Sequence, residues 1–198
     1  MKAVFGLGNP GREYRQTRHN LGFLVIERYL ERQRAQPCFS GFLNRVRLRG
    51  RRLDQALVYR VKDDLLLVKP LTYMNRSGLA VKEIVRRFGL RLEDCLVVCD
   101  DLALPWGRLR LRAKGGAGSH RGLASISAEL GTEEIPRLRI GIGREGLQGD
   151  LTSYVLGRFT PEELAQLEPV LERVAGAIDL FYEQSIERLM GEINRTET

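Results

Sequence analysis

Residues Cys95-Leu96-Val97-Val98-Cys99 form an uninterrupted apolar run that stops abruptly at Asp100-Asp101. A strand with one wet face alternates apolar and polar residues, so a short run that is apolar at every position reads as a strand covered on both faces. Covering both faces of a sheet takes a layer of helices on each side, which constrains the chain to a three-layer α/β arrangement. Ala3-Val4-Phe5-Gly6-Leu7-Gly8 repeats the pattern and closes on glycines. In open α/β sheets ligands gather beyond the carboxyl ends of strands. Asp100, Asp101 and the loop after Gly8 are therefore the first places to look for chemistry.

Other segments fill in the layers. Leu21, Leu24, Val25, Tyr29 and Leu30 recur at helical spacing opposite Glu27, Arg28 and Glu31, predicting a first helix. Segments 44–50, 53–61 and 65–69 read as three strands of a meander, separated by Gly50-Arg51-Arg52 and Lys62-Asp63-Asp64. After Asn75-Arg76-Ser77-Gly78 a helical pattern runs through Val81, Ile84, Val85 and Phe88 until Gly89, which puts Asn75 near a helix N-terminus. Alternating Arg and Leu over 107–112 predicts a strand, Arg121 to Leu130 a helix, and Leu138 to Gly143 a further strand. From Pro161 onward, apolar residues at three-to-four spacing from Leu164 to Leu189 predict two amphipathic helices. The expected architecture is one three-layer α/β domain over residues 1–191, with a mixed, mostly parallel central sheet flanked by helices. A short polar tail is expected over 192–198.

With 198 residues and 43% hydrophobic content, the chain can bury one sizeable core. Its 32 Lys and Arg against 25 Asp and Glu give a net charge of +7, which favours a polyanionic partner. The three cysteines, Cys38, Cys95 and Cys99, are an odd number without zinc-ligand pairing, and a reducing compartment fits them best. The apolar stretch at the N-terminus is too short for a signal peptide, and no stretch reaches the roughly 18 apolar residues of a membrane span. A cytoplasmic, membrane-free protein is expected.

Gly6-Leu7-Gly8-Asn9-Pro10-Gly11 has the spacing of a dinucleotide-binding loop. That loop must open directly into a helix whose N–H groups face a pyrophosphate. Here Pro10 has no N–H, and residues 11–18 are polar without helical spacing, so a tight turn holding Asn9 is the better reading. Histidine is scarce, His19 and His120 alone, and both lie in polar loop contexts. An imidazole suits proton abstraction near neutral pH, and it works best when a carboxylate holds its other ring nitrogen; Asp100 and Asp101 are the candidates. No G-x-S-x-G elbow or exposed cysteine motif offers a covalent nucleophile, and no paired histidine or cysteine spacing offers a metal site. Direct attack by water on an activated acyl compound remains. Arg108, Arg110 and Arg112 would line one face of their strand, and Lys114 with the glycine-rich loop 115–119 follows, a surface suited to phosphates.

Read together, Gly6–Gly11, Tyr14-Arg15-Gln16-Thr17-Arg18-His19-Asn20-Leu21-Gly22, Lys69-Pro70-Leu71-Thr72-Tyr73-Met74-Asn75-Arg76-Ser77-Gly78 and Asp100-Asp101-Leu102-Ala103-Leu104-Pro105-Trp106-Gly107 resemble the bacterial-type peptidyl-tRNA hydrolase family. The likeness continues in the same order through Gly118–Leu123 and Arg137–Gly143. It implies a cofactor-free, metal-free hydrolase that cleaves the ester between a peptidyl group and the 3′ end of tRNA and recycles peptidyl-tRNA shed by stalled ribosomes. It implies that His19 is the base, that Asp100 stabilises its basic form, and that Asn9 helps distinguish N-blocked from free aminoacyl groups. Tyr14, Tyr73 and Asn75 match positions that bind the tRNA end, and Arg110, Arg112 and Arg139 are candidates for clamping acceptor-stem phosphates. Asn75, an amide near a helix N-terminus, can also receive charge developing on the carbonyl oxygen. A monomer without an obligate protein partner is the expectation.

Two positions depart from the family pattern. Arg121 stands where the family usually has a tRNA-contacting Asn; a guanidinium cannot supply an amide's acceptor oxygen, but it can still bind phosphate or pair with Asp, so Arg121 is kept as a candidate tRNA contact. Ala103 replaces a common acidic residue. Three other readings compete: a non-catalytic RNA-binding or splicing cofactor on the same fold, a nucleotide-dependent oxidoreductase built on the glycine loop, and a basic RNA-binding module.

Overall fold

The computed structural model describes residues 1–35, 50–143 and 149–196. Cys38 and residues 44–49 of the first expected meander strand lie outside them. The chain runs β1 (Lys2–Gly6), α1 (Leu21–Ala35), β2 (Arg51–Leu53), β3 (Ala56–Lys62), β4 (Leu65–Pro70), α2 (Ser77–Phe88), β5 (Cys95–Pro105), β6 (Leu109–Arg112), α3 (Arg121–Leu130), β7 (Arg137–Gly143), α4 (Leu151–Leu156), α5 (Pro161–Glu183) and α6 (Ile186–Thr196). The strands form one sheet in the order β2-β3-β4-β1-β5-β7-β6. Its four middle strands are parallel, while β2, β3 and β6 add antiparallel edges.

The expected three layers follow from how the central strands distribute their side chains. Val4, Leu67, Leu96, Val98 and Ile140 face a core closed by α1, α5 and α6. Ala3, Phe5, Leu66, Val97 and Cys99 face a second core closed by α2 and α3. Adjacent residues of one strand thus serve opposite cores, which is why these runs are apolar throughout. Burial pushes the Cys95 thiol up to about 12 and raises that of Cys99 as well, so both are packing residues. Among the described residues no helix is long and apolar enough to cross a membrane.

Several boundaries differ from expectation. The expected strand 53–61 is two strands: Arg51-Arg52-Leu53 pairs with Ala56-Leu57-Val58 around a turn at Asp54-Gln55. Arg51 and Arg52 resembled a connector because they are charged, but an edge strand carries exposed charge without penalty. β5 continues past Cys99 to Pro105, with a register irregularity against β7 between Asp101 and Pro105. Arg108 precedes β6, so only Arg110 and Arg112 alternate on the strand with buried Leu109 and Leu111. The residues expected as a polar tail belong to α6 as far as Thr196. Ile193 there is buried in the core, and the Asn194 amide exchanges two 3.0 Å hydrogen bonds with the Leu111 backbone, shielding the edge strand β6.

One close approach matters most for the site. A Cβ on Gly22 would lie 2.3 Å from Leu7 N, and one on Gly6 would lie 2.2 Å from Gly22 O. Two glycines therefore let the start of α1 sit directly on the end of β1. Leu7 N donates to Val98 O at 2.9 Å, so the loop after β1, the turn before α1 and the end of β5 converge on one point.

Candidate active site

His19 lies in the 3-10 turn Arg18–Asn20 that precedes α1, and its neighbours on both sides are fixed. The buried Arg18 guanidinium donates to both Glu163 oxygens at 2.9 and 2.7 Å and stacks 4.2 Å from the Tyr154 ring centroid. Glu163 is itself held by a capping box with Thr160 at the start of α5. On the other side, Asn20 clamps the Asn9 backbone: its Oδ1 accepts from Asn9 N at 2.8 Å and its Nδ2 donates to Asn9 O at 2.9 Å. The Asn9 side chain is left to reach forward, where its Oδ1 accepts from Met74 N at 2.7 Å. That backbone donor fixes the amide orientation, leaving the Asn9 Nδ2 hydrogens as the free donors.

The imidazole of His19 meets Asp100 at the end of the β5 apolar run, with Nδ1 2.9 Å from Oδ1 and 3.0 Å from Oδ2. His120 approaches the same carboxylate, its Nε2 3.3 Å from Oδ1. All three are buried, with 8%, 3% and 9% exposure for His19, Asp100 and His120. The tautomers follow from the partners. His120 caps α3, its Nδ1 accepting from Gly122 N at 3.1 Å and Leu123 N at 3.2 Å, so its proton is on Nε2 and points at Asp100. His19 presents Nδ1–H to the same acceptor, which leaves its Nε2 lone pair unused. Burial pushes the Asp100 carboxyl upward, but this is outweighed by the charge and hydrogen bond of His120 and by those of His19. The net result lies well below the usual carboxylate range.

These three side chains, whose ligand atoms lie within 4.8 Å of one another, are the cluster among the described residues that could hold a metal ion. The nitrogens facing Asp100 already act as hydrogen-bond donors to it at 2.9 and 3.3 Å, so the donors satisfy one another.

A cleft of about 1220 Å³ opens over this network and is lined by Asn9, His19, Tyr73, Asn75, Asp100, Arg121 and Arg139 among others. Asn75 is exposed in the 3-10 turn Met74–Arg76 that leads into α2, near a helix N-terminus as expected. Tyr73 is 56% exposed on the rim and meets the half-buried Tyr14 edge to face, with ring centroids 6.4 Å apart. Arg139 is anchored to Asp101 Oδ2 at 3.0 Å and to Gly116 O at 2.7 Å. Asp101, the other carboxylate considered for His19, is thereby committed to an arginine. Arg110 lies opposite Arg139 in the β6–β7 register and Arg112 opposite Arg137; both are exposed on the sheet edge, outside the cleft lining.

The structure thus brings Asn9, His19, Asn75, Asp100, Tyr73, Arg121 and Arg139 to one cleft, with Tyr14 at its rim. Sequence reasoning gave no role to His120 or Asn20. His120 carried a usable signal, as a rare histidine immediately before a helical pattern, the position of an N-cap. Asn20 carried none, because its use depends on the glycine contact between β1 and α1.

Comparison with known proteins gives the family. The family model described as peptidyl-tRNA hydrolase matches residues 3–198. Proteins named peptidyl-tRNA hydrolase include one from Desulforudis audaxviator, 45% identical over 98% of this chain and 93% of its own length. Another, from Aquifex aeolicus, is 42% identical over 100% of this chain and 98% of its own length. The crystal structure of peptidyl-tRNA hydrolase from Acinetobacter baumannii superposes with a TM-score of 0.83 at 29% identity, covering 98% of this chain and 94% of that one. By sequence over nearly its whole length and by fold, the chain belongs to the peptidyl-tRNA hydrolase family.

Proposed function

We propose that the protein hydrolyses the ester joining a peptidyl group to the 3′ end of tRNA, with His19 as general base. The observation that carries this is the His19 ring held by buried Asp100 through Nδ1, which leaves Nε2 as the available base. His19 Nε2 takes a proton from water as the water oxygen bonds to the ester carbonyl carbon. Charge develops on the carbonyl oxygen and is received by the amide donors of Asn9 and Asn75, both of which line the cleft. On collapse the carbon–oxygen bond to the ribose breaks and the imidazolium returns its proton to the ribose oxygen. Asp100 carries a negative charge beside the imidazolium throughout, and His120 holds that carboxylate in place.

Tyr73 and Tyr14 offer an aromatic rim on which the terminal base stacks. Arg139, with Arg110 and Arg112 along the sheet edge, provides cations for acceptor-stem phosphates. Asn9 also serves to select N-blocked acyl groups, a role that rests on the family resemblance. The protein is read as a cytoplasmic monomer that recycles peptidyl-tRNA from stalled ribosomes without a cofactor. The relatives are named as hydrolases, and the aligned acid–base pair supports turnover over a non-catalytic RNA-binding role.

The decisive experiment measures release of N-acetyl-aminoacyl groups from tRNA by wild type and His19→Ala. A positioned base contributes about 10²–10⁴-fold, and a loss in that range is expected. A His19→Ala rate within about threefold of wild type, well short of that contribution, removes His19 as the base.

A further inference from the structure

Arg76 and Arg121 differ from the other charged groups of the cleft. Arg76 closes the 3-10 turn before α2, and Arg121 is the first residue of α3. The two elements touch: a Cβ on Gly122 would lie 2.6 Å from Met74 Sδ, and Gly78 N donates to Ser125 Oγ at 3.0 Å. Both arginines are exposed and both line the cleft. The carboxylates of the cleft are already engaged, Asp100 by two histidines and Asp101 by Arg139 and Ala103 N. Among the described residues neither the Arg76 nor the Arg121 guanidinium has a hydrogen-bond or carboxylate partner.

Like charges on touching elements repel, and the repulsion turns to attraction when an anion lies between them. The helix end does not supply the anion contact, because the Gly122 and Leu123 N–H groups are taken by His120 Nδ1. The acyl end of the substrate is esterified and uncharged at its carboxyl carbon. Its obligatory anions near the cleft are the phosphodiesters of the nucleic-acid strand.

We propose that Arg76 and Arg121 together bind a backbone phosphodiester of the substrate's single-stranded 3′ end, next to the nucleotide that carries the ester. This rests on the reading of the protein as a hydrolase of peptidyl-tRNA. Both residues line the cleft with Tyr73 and Asn75, and Arg76 directly follows Asn75 in the chain, so a phosphate one ribose from the ester would come within their reach. The guanidinium at position 121, where the family usually has an amide, makes this contact one of charge. Binding here is consequently more sensitive to salt than a hydrogen-bonding amide would make it.

The test compares hydrolysis of N-acetyl-aminoacyl-tRNA with that of the same N-acetyl-aminoacyl ester on adenosine alone, which carries no phosphate. The enzymes are wild type and Arg76→Gln/Arg121→Gln. In the double variant KM for the tRNA ester should rise about tenfold more than KM for the adenosine ester, and the log–log salt dependence with tRNA should become shallower by about one to two. Equal changes on the two substrates, or an unchanged salt dependence, overturn the proposal. A wild-type enzyme that does not hydrolyse the tRNA ester removes the functional reading instead. The arginine pair is then decided by fluorescence anisotropy with a labelled single-stranded RNA tetranucleotide, where a loss of binding of about tenfold supports the phosphate site and equal affinity overturns it.

Discussion

The floor and the rim of the cleft are built on opposite principles. On the floor, Asn9, Asn20, His19, Asp100 and His120 are all buried, and each is hydrogen-bonded to another of the set or to backbone. On the rim, Tyr73, Asn75, Arg76 and Arg121 are exposed, and their side chains are largely unengaged. A buried polar group without a partner is costly, and the floor holds its five polar side chains in two hydrogen-bonded groups, Asn9 with Asn20 and His19 with Asp100 and His120, which restrains them. An exposed group has no such requirement, so the rim can stay open to a ligand. With the function proposed above, the contrast fits preorganised acid–base chemistry on the floor and substrate capture on the rim. Floor substitutions should act on kcat and substitutions at Tyr73, Arg76 and Arg121 on KM, while Asn75, as a donor to the developing oxyanion, should act on kcat from the rim.

Asp100→Asn should break the floor most severely. The amide can donate as well as accept, so it can leave the proton of His19 on Nε2 and remove the base; a loss of about 10³–10⁴-fold in kcat with little change in KM is expected. The same variant changes acid stability in a defined direction. Because the folded Asp100 carboxyl is depressed, it contributes stability that is fully present above the unfolded value of about 3.9 and is lost as pH falls through the folded one. Urea unfolding between pH 6 and pH 2 should therefore show a steeper acid limb for wild type than for Asp100→Asn. Parallel limbs would mean that the histidines do not hold the carboxylate in solution.

His120 separates the two duties that meet at one side chain. His120→Ala removes both the helix cap and the bond to Asp100, whereas His120→Asn retains an efficient cap, so the former should lose about 1 kcal/mol more stability than the latter. Both should lose activity, by about 10- to 100-fold, the size of effect seen when an outer hydrogen-bond partner that holds a functional group in place is removed from a metal site. If His120→Asn were as active as wild type, the bond to Asp100 would be idle.

How much of this was legible in the sequence depended on the range of the interaction. Apolar runs at 3–8 and 95–99 announced strands buried on both faces, and the periodicity of 121–130 and of the residues after 161 announced helices, because burial leaves its pattern locally. The short α4 went unseen: its six residues are too few for a helical period, and its start depends on Asp150 accepting from Thr152 N. Arg51-Arg52 hid an edge strand because its pairing, and not its side chains, defines it. At the site, spacing and resemblance picked out His19 and Asp100. The residues alone leave Asp100 and Asp101 open and the resemblance chooses Asp100; in the fold the two alternate across β5, Asp100 meeting the imidazole and Asp101 meeting Arg139. His120 as third partner was invisible, being joined to Asp100 through space and not through sequence.

On the rim, Tyr73→Ala tests capture without chemistry. Stacking of a base on an aromatic side chain contributes about 1–3 kcal/mol, so KM for the tRNA ester should rise at least about fivefold while kcat holds near wild type. A fall in kcat with unchanged KM would move Tyr73 from the rim to the floor.

The smallest effect belongs to the sheet edge, which extends the rim beyond the cleft. Arg110 and Arg112 are exposed on β6, and Arg110 stands beside the anchored Arg139. Neither lines the cleft, so they can meet only the distant, helical part of a long substrate, where exposed charge is screened over a Debye length of about 8 Å at physiological salt. Arg110→Gln/Arg112→Gln should raise KM for full-length tRNA by less than about threefold at physiological salt, with the increase growing as salt is lowered. An ester on a short 3′-terminal fragment should not register the change, because it does not reach β6. A loss equally large on the fragment would place these arginines in the cleft and erase the distinction between edge and rim, whereas a loss seen only with the full-length molecule fixes the direction in which the acceptor stem leaves the site.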